Sequence, residues 1–514
     1  MSYSVAPPKL IAAWRLLLNI ALLTGLVLSL GSAALADKTD FNLTCGDTAG
    51  LINAINQANI NNKDQTITLN ADHQTHCVYN LTSLRNTNDG NNGLPSITGQ
   101  ITIEGRGATI ERSRNGGTPY FRIFHVAKSG NLTLNDIIVT NGRAASGSLP
   151  ANSGGGIANF GTLSLVNSII SGNYAANGGG VYNDFGGTLS LTSSAVSHNS
   201  GASFGGGIFT QGRLSLTRST VSGNKADLSG GGIANFGTLS LANSAVCYNG
   251  RPGLGGGIFN QGSLSLVNST ISGNSVSSDG GGIFNDFGNT IYLTDTIVND
   301  NNADRNGGGI FNFKNSTLSL THSIVSNNSA NGNAGGIYNH HNSTLSLTHC
   351  VVARNSTFGD GGGIFNRSAA TLSLSHSTIS DNLAYKEGGG IANLGTLSLI
   401  KGTVSGNNAG NNGGGIFNNL QVLILVNSTV SSNNAGNNGG GIFNRGEFFL
   451  TNSIIANSSS GGNCVNTATL HAHVNNQVED NACHSAFSNN SGVEPPADNS
   501  DSTETTGSAA QEPG

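Results

Sequence analysis

Between residues 154 and 457 short apolar runs alternate with polar ones, and the pattern returns every 24 to 27 residues. The unit from Gly154 reads Gly-Gly-Gly-Ile-Ala-Asn-Phe-Gly-Thr-Leu-Ser-Leu-Val-Asn-Ser-Ile-Ile-Ser-Gly-Asn. Its Thr162-Leu163-Ser164-Leu165 stretch has period two, the signature of a strand with Leu on one face and hydroxyls on the other. Eleven units open with Gly-Gly-Gly followed by Ile or Val, and a twelfth opens with Ala334-Gly335-Gly336-Ile337. Aligned, they expose strict columns. The Leu165 column is Leu in all twelve, the Ile170 column is Ile or Val, and the Asn159 and Asn173 columns are each Asn in eleven. β-Branched residues dominate and Gly interrupts every unit, which excludes helices. One short strand pair cannot bury its apolar face alone, so the units must stack.

A period near 25 with three short apolar runs predicts one turn of a parallel β-helix, each turn bonded to the next about 4.8 Å away. Asn columns suit its corners, because Asn tolerates left-handed turns and stacked amides bond along the axis. Only Pro252 falls within the repeats, so the ladders are scarcely interrupted. Ile101-Thr102-Ile103 and Leu132-Thr133-Leu134 add two irregular turns. The expected fold is an all-β, single-stranded, right-handed parallel β-helix solenoid of about 14 turns, a rod of roughly 65 Å. Its ends need caps. A short helix near residues 45–59, opened by Asp47 or Thr48 and burying Leu51, Ile55 and Ala58, supplies the first.

The chain opens with Lys9 and Arg15, an apolar stretch over 16–30, and Ala34-Leu35-Ala36, the layout of a cleaved export signal. The expected organisation is a signal at 1–36, an N-terminal cap and first strands at 37–100, the β-helix at 101–457, a C-terminal cap at 458–485 and a disordered tail at 486–514. The leader holds Lys9 and Arg15 and no acid, which leaves 20 basic against 27 acidic side chains, a net charge of −7. That balance argues against nucleic-acid partners. No membrane span is expected once the signal is removed. Export permits disulfides, and proximity along the chain pairs Cys45 with Cys77 and Cys464 with Cys483. Cys247 and Cys350 occupy different repeat positions and are expected to be free.

At the N-terminal cap the sequence resembles bacterial exported right-handed β-helix repeat proteins, which share a Cys followed by Leu-Arg-Glu-Ala-Ile-x-x-Ala-Asn. Here Cys45 precedes Leu51-Ile52-Asn53-Ala54-Ile55-Asn56-Gln57-Ala58-Asn59, with Ile52-Asn53 replacing Arg-Glu. The Gly-Gly-Gly-Ile units resemble the repeats of polymorphic outer-membrane proteins and the fold of pectate lyases. The segment from Asn452 through Cys464 to Cys483 is similar to a surface-anchoring module, without its usual Asp-Asn-Gly-Gly-Pro stretch. The resemblance implies the fold and a secreted, cell-surface or outer-membrane-associated location. Its pectate-lyase side implies clustered acids for calcium and a catalytic Arg or Lys.

Titratable groups concentrate at one repeat position. The Asn167 column carries Asp295, His322, His349, His376 and Lys401, while Asp300, Arg354 and Asp381 share the Gly172 column. Stacked imidazoles can hold a divalent metal or act as a general base. The competing reading is polar drift at a corner, and three His on a straight column fan poorly around an ion. Tyr and Phe in the Ala158 column are expected to stack ring on ring or to offer a sugar platform. Thr fills eight of twelve positions in the Thr162 column and Ser nine of twelve in the Ser164 column. Such a hydroxyl face can meet polysaccharide, or order water as ice-binding proteins do. The expected function is a non-catalytic, adhesin-like monomer presenting polar faces to extracellular polysaccharide or a cell-surface partner. The alternatives are a polysaccharide lyase or glycoside hydrolase, and an ice-binding protein.

Overall fold

Ten of the twelve repeats fold into four very short strands and the other two into three, because Gly or Asn stops the chain every two to five residues. In the unit at Gly154 these are Ile157–Asn159, Thr162–Val166, Ile169–Ser171 and Tyr174–Ala175. Each pairs in parallel with its equivalent one turn on: Ile157 opposite Val181, Leu163 opposite Leu189, Ile170 opposite Val196 and Tyr174 opposite Ser200. The computed structural model describes residues 40–479 and Cys483, apart from 62–63, 71–75, 145–149, 251–252 and 473–474. The expected export signal and the expected tail lie outside the described residues. The chain is a parallel β-solenoid of about 16 turns, roughly 75 Å long at about 4.8 Å per turn.

The excess over 14 turns comes from both ends. Strand β1 (Asp40–Thr44) pairs with β2 (Gln65–Asn70), and β2 with β4 (Gln100–Arg112). Strand β3 (Val78–Leu81) joins the other half of β4. At the far end, Leu470–Ala472 and Gln477–Val478 extend the same sheet. The irregular end segments are therefore rungs themselves. Their backbone ladders match the repeats although their side chains do not.

Three left-handed corners turn the chain in every repeat. The Asn167 column lies at φ +47° to +53°, the Gly172 column at φ +54° to +67°, and the first Gly of each unit also has positive φ. At Gly154 an added Cβ would sit 2.4 Å from the Ile157 carbonyl oxygen, so Gly is needed for space as well as for φ +67°. Ala334, at φ +61°, is the sole departure in that column. Between corners, Ile157, Leu163, Leu165 and Ile170 point inward and are fully buried. Fully burying each such side chain stabilises by about 1.5–3 kcal/mol.

Polar columns line the interior, and they hydrogen-bond from turn to turn along the axis. Asn199 donates to Asn224 Oδ1 at 3.0 Å, and Asn224 to Asn249 at 3.0 Å. A second amide column runs from Asn235 through Asn260 and Asn285 to Asn312 at 2.7–2.9 Å. A third column uses hydroxyls, the Ser219 N–H donating to Ser244 Oγ at 3.1 Å. Cys350 takes a place in it, its sulfur 3.5 Å from the Ser323 nitrogen.

Helix α1 (Thr48–Asn61) covers the first turn, burying Leu51, Ala54, Ile55 and Ala58. Asp47 is its cap: its Oδ1 accepts the Gly50 N–H at 2.8 Å. Disulfides join Cys45 to Cys77 and Cys464 to Cys483, one at each end, while Cys247 and Cys350 are free. Among the described residues no helix is long and apolar enough to cross a membrane.

Candidate functional site

The titratable column occupies the left-handed corner between the two outer strands of each turn. Asp295, His322, His349, His376 and Lys401 all have φ between +48° and +53°. Asn, Asp and His are the side chains most enriched at positive φ, so the corner itself favours this composition. The imidazoles stack with their planes about parallel. Centroids lie 5.2 Å apart for His322 and His349, and 4.8 Å for His349 and His376. Asp295 Oδ1 lies 4.0 Å from His322 Nδ1, with both side chains mostly exposed. Stacked rings set their nitrogens side by side along the rod. Among the described residues no three His, Cys, Asp or Glu converge as a metal site.

Asp300, Arg354 and Asp381 lie on the next left-handed corner, at φ +54° to +56°. A three-residue strand such as Ile297–Asn299 separates the two columns. Asp300 accepts from the Asn299 amide at 2.6 Å. The fold therefore brings the three His and Asp295 into one file and places Asp300, Arg354 and Asp381 in another.

The aromatic column is buried on the side of its sheet away from the main core. Phe259, Phe284, Phe311, Tyr338 and Phe365 stack at centroid distances of 4.6–5.7 Å. Where Ala234 interrupts the file, Phe236 fills the gap, 5.1 Å from Phe209 and 5.8 Å from Phe259. The rings of the column itself glue turn to turn and are 4–8% exposed, too little to offer a sugar platform.

The hydroxyl face is open. In Thr317–Thr321, Thr344–Thr348 and Thr371–Ser375 the Leu are buried and the alternating Thr and Ser face outward, in register. Tyr292 stands 57% exposed where neighbouring turns carry Ser. A trough of about 460 Å³ lies beside it, lined by Thr238, Ser240, Ser263, Ser265 and Thr290 among others. From Lys314 to Lys401 this face and its two bordering turns hold Lys314, Arg367, Lys401 and five His, and no carboxylate. Arg367 Nη1 donates to His340 Nε2 at 2.6 Å. Burial first, then the Arg367, His341 and Lys314 charges, push His340 down to about 4, so it is a neutral acceptor near pH 7.

One cluster has no counterpart in the repeats. Asp89, Ser96, Arg122 and His125 meet beside the first turns, at a cavity of about 430 Å³ lined by Asp89, His125, Lys128, Ala151 and Phe160 among others. Burial first, then the Arg122 charge, push His125 down to about 4 against the pull of Asp89. Burial lowers Arg122 to about 10, with Asp89 opposing. Burial acts to raise Asp89. Hydrogen bonds from Asn86 and Ser96 and the charges of His125 and Arg122 override it and hold Asp89 below its ordinary value. These residues lie outside the twelve units, so no repeat position carries them. Buried ionisable groups beside a cavity, here Arg122 and His125, make it a candidate functional site.

No protein-family model matches this chain, and no curated protein matches it. Among solved structures it is similar to the A-module of a mannuronan C-5 epimerase from Azotobacter vinelandii. The sequence identity is 10%, the match covers 86% of this chain and 97% of that one, and the TM-score is 0.25. A likeness at that level carries no argument about activity; the identification of the chain as a parallel β-solenoid stands on its own strand ladders.

Proposed function

We propose that this protein is an exported, adhesin-like rod that binds extracellular polysaccharide across its hydroxyl face without chemically changing it. The observation that carries this reading is the in-register array of outward Thr and Ser from Thr317 to Ser375. Hydroxyls repeat about 4.8 Å apart between turns and roughly 6.6 Å apart along a strand. Such an array offers many weak hydrogen bonds to a chain of sugar hydroxyls, and affinity accumulates through multivalency. Tyr292 adds an aromatic surface beside a trough. The bordering Lys314, Arg367 and Lys401 favour polysaccharides that carry carboxylate or sulfate groups. A polysaccharide lyase or hydrolase needs an acid and a base within reach of one bond. Asp300 and Asp381 sit on a different corner from the His file, and Asp295, 4.0 Å from His322, is the one acid beside it that the digestion test addresses.

The test is a polysaccharide binding and digestion screen on the chain from Asp37, with and without added divalent metal. Retention of acidic polysaccharides at full length is the expected result. Release of shortened products, abolished in Asp295→Asn with His349→Ala, would establish the enzyme instead. A second reading, ice binding, is favoured by the same two-dimensional hydroxyl lattice. Thermal hysteresis that disappears when Thr344 and Thr348 are replaced by Lys would select it.

A further inference from the structure

We propose that two copies of this chain pair side by side and antiparallel, through the narrow sheet between the Asn167 and Gly172 corner files. A two-fold axis crosses the rod at the Ile324 turn. It sets Asp300 opposite Arg354 of the second copy, and Asp295 opposite His349 of the second copy.

Three neighbouring turns differ from the rest on this face. Their strands Ile297–Asn299, Ile324–Ser326 and Val351–Ala353 stack in register, Ile297 beside Ile324 and Ile324 beside Val351. Val298, Val325 and Val352 point into the core, so Ile297, Ile324 and Val351 point out. Ile297 and Ile324 are 39% and 38% exposed. In the other units between the first and the last, this position holds Thr or Ala. An apolar row on an otherwise polar face marks a surface that is covered.

The same three turns carry the charges. Asp295, His322 and His349 stand on one side of the row, and Asp300, Asn327 and Arg354 on the other. All six are exposed. In each file an acid lies two turns, about 9.6 Å, from a basic side chain. A two-fold axis lying in the face and perpendicular to the rod lays each file on itself with its direction reversed. Centred at Ile324, it brings every acid of the three turns to a basic group and Ile297 to Val351.

Other arrangements fail on charge. Half a turn toward Val351, the axis sets Asp300 against Asp381. Half a turn toward Ile297, it leaves Arg354 opposite Gly273 and Asp300 opposite Asn327. At Val351 it sets Arg354 against itself, and at Ile297 it sets Asp295 and Asp300 each against itself. A parallel pair lays one file on the other, Asp295 on Asp300 and His349 on Arg354. Like charges opposed across an interface are strongly unfavourable.

Further out, from the second unit to the twelfth, no carboxylate of these files meets a carboxylate and no Lys or Arg meets another. Eleven turns at about 4.8 Å, across a face roughly 15 Å wide, give about 800 Å² on each copy, the size of a specific interface. The left-handed Asn167 corner separates this face from the hydroxyl strand. The axis leaves the hydroxyl faces of both copies on the same side of the pair, and the pairing does not depend on what they bind. The sequence alone predicts a monomer; the stacking of these three turns points to a pair.

The test is sedimentation equilibrium of the full chain from about 1 to 100 µM, with small-angle scattering at the upper end. A reversible monomer–dimer equilibrium is expected. The dimer's longest dimension is expected to stay near that of one rod, well short of the roughly 150 Å of an end-to-end pair. Asp300→Arg and Arg354→Asp, each alone, are expected to weaken the dimer at least about tenfold. The file already accepts both residue types, and an unchanged melting temperature shows that each variant folds. Mixing the two variants in equal amounts restores opposite charges at both contacts and is expected to restore the dimer. The double variant of one chain is expected to do the same. A monomer throughout, a doubled length, single variants that dimerise as the parent does, or a mixture that stays monomeric would each overturn the proposal.

Discussion

The Asn355 side-chain amide donates to Asn382 Oδ1 at 3.0 Å, and the Asn355 backbone N–H donates to that same oxygen at 2.9 Å. One buried oxygen thus satisfies two donors from the turn before it. Asn382 repeats the arrangement toward Asn407, with distances of 2.9 and 3.0 Å. Replacing Asn382 by Ala leaves the Asn355 N–H buried and unpaired and cuts the ladder. Buried unsatisfied groups cost about 1–3 kcal/mol each, so Asn382→Ala is expected to destabilise by about 2–4 kcal/mol. Urea denaturation followed by far-UV circular dichroism measures it. A loss under about 0.5 kcal/mol would mean that water replaces the amide ladder.

His349 occupies its corner at φ +53°. A β-branched residue there meets the left-handed clash, worth about 1–2 kcal/mol. His349→Val is expected to destabilise by that amount and His349→Asn to be neutral. Because the rings stack rather than converge, zinc is expected to leave the melting temperature of the intact chain unchanged. A zinc-dependent rise that disappears in His322→Asn, His349→Asn, His376→Asn would show that the file holds metal after all.

His125 and His340 are both held down to about 4. An unfolded imidazole titrates near 6.5. Between about pH 6.5 and about pH 4 the unfolded chain therefore binds more protons than the folded one, and stability rises with pH across that window. The contribution is fully present above about pH 6.5 and is lost as the pH falls toward about 4. Protonating His340 also sets a cation against the Arg367 guanidinium, which donates to its Nε2. Denaturation midpoints at about pH 7, 5.5 and 4.5 are expected to fall in that order, and less steeply for His340→Gln. A slope identical in the variant would remove His340 as a contributor.

On the hydroxyl face, Lys314 and Lys401 border opposite ends of a stretch without carboxylates. Replacing both by Ala is expected to weaken binding of an acidic polysaccharide about tenfold at low salt, and to flatten its salt dependence, since screening acts over about 10 Å at 0.1 M. Binding of a neutral glucan should not change. Tyr292→Ala is expected to weaken both. Surface plasmon resonance on immobilised polysaccharide separates these effects.

Much of this architecture was legible because each repeat states its geometry twelve times. The Leu165 and Ile170 columns marked the core, and the Asn173 column marked an amide ladder that the structure bears out, although the left-handed corners expected of the Asn159 and Asn173 columns fall instead at the Asn167, Gly172 and first-Gly positions. The aromatic file was read as stacking or as a platform, and burial decides for stacking. The alternation of Thr162 and Ser164 with Leu placed the hydroxyls outside. The Asn167 position, with its mixture of Asn, Asp, His, Arg and Lys, reads from the columns either as chemistry or as polar drift at a corner, and only φ shows that the corner is left-handed. The Asp89, Ser96, Arg122 and His125 cluster was illegible for another reason. Its members come from turns of unequal length, so their register cannot be counted from a repeat.

The amide ladder also bears on how this molecule can change in length. Every turn presents to its neighbours the donor and acceptor that the next turn would have presented. Excising the 27 residues that separate Asn355 from Asn382 would set the donors of Asn328 against Asn382 Oδ1 in the arrangement Asn355 now enjoys. Whole turns are thus interchangeable parts. A chain of this kind can lengthen or shorten in steps of about 4.8 Å, while both disulfide-closed ends stay as they are.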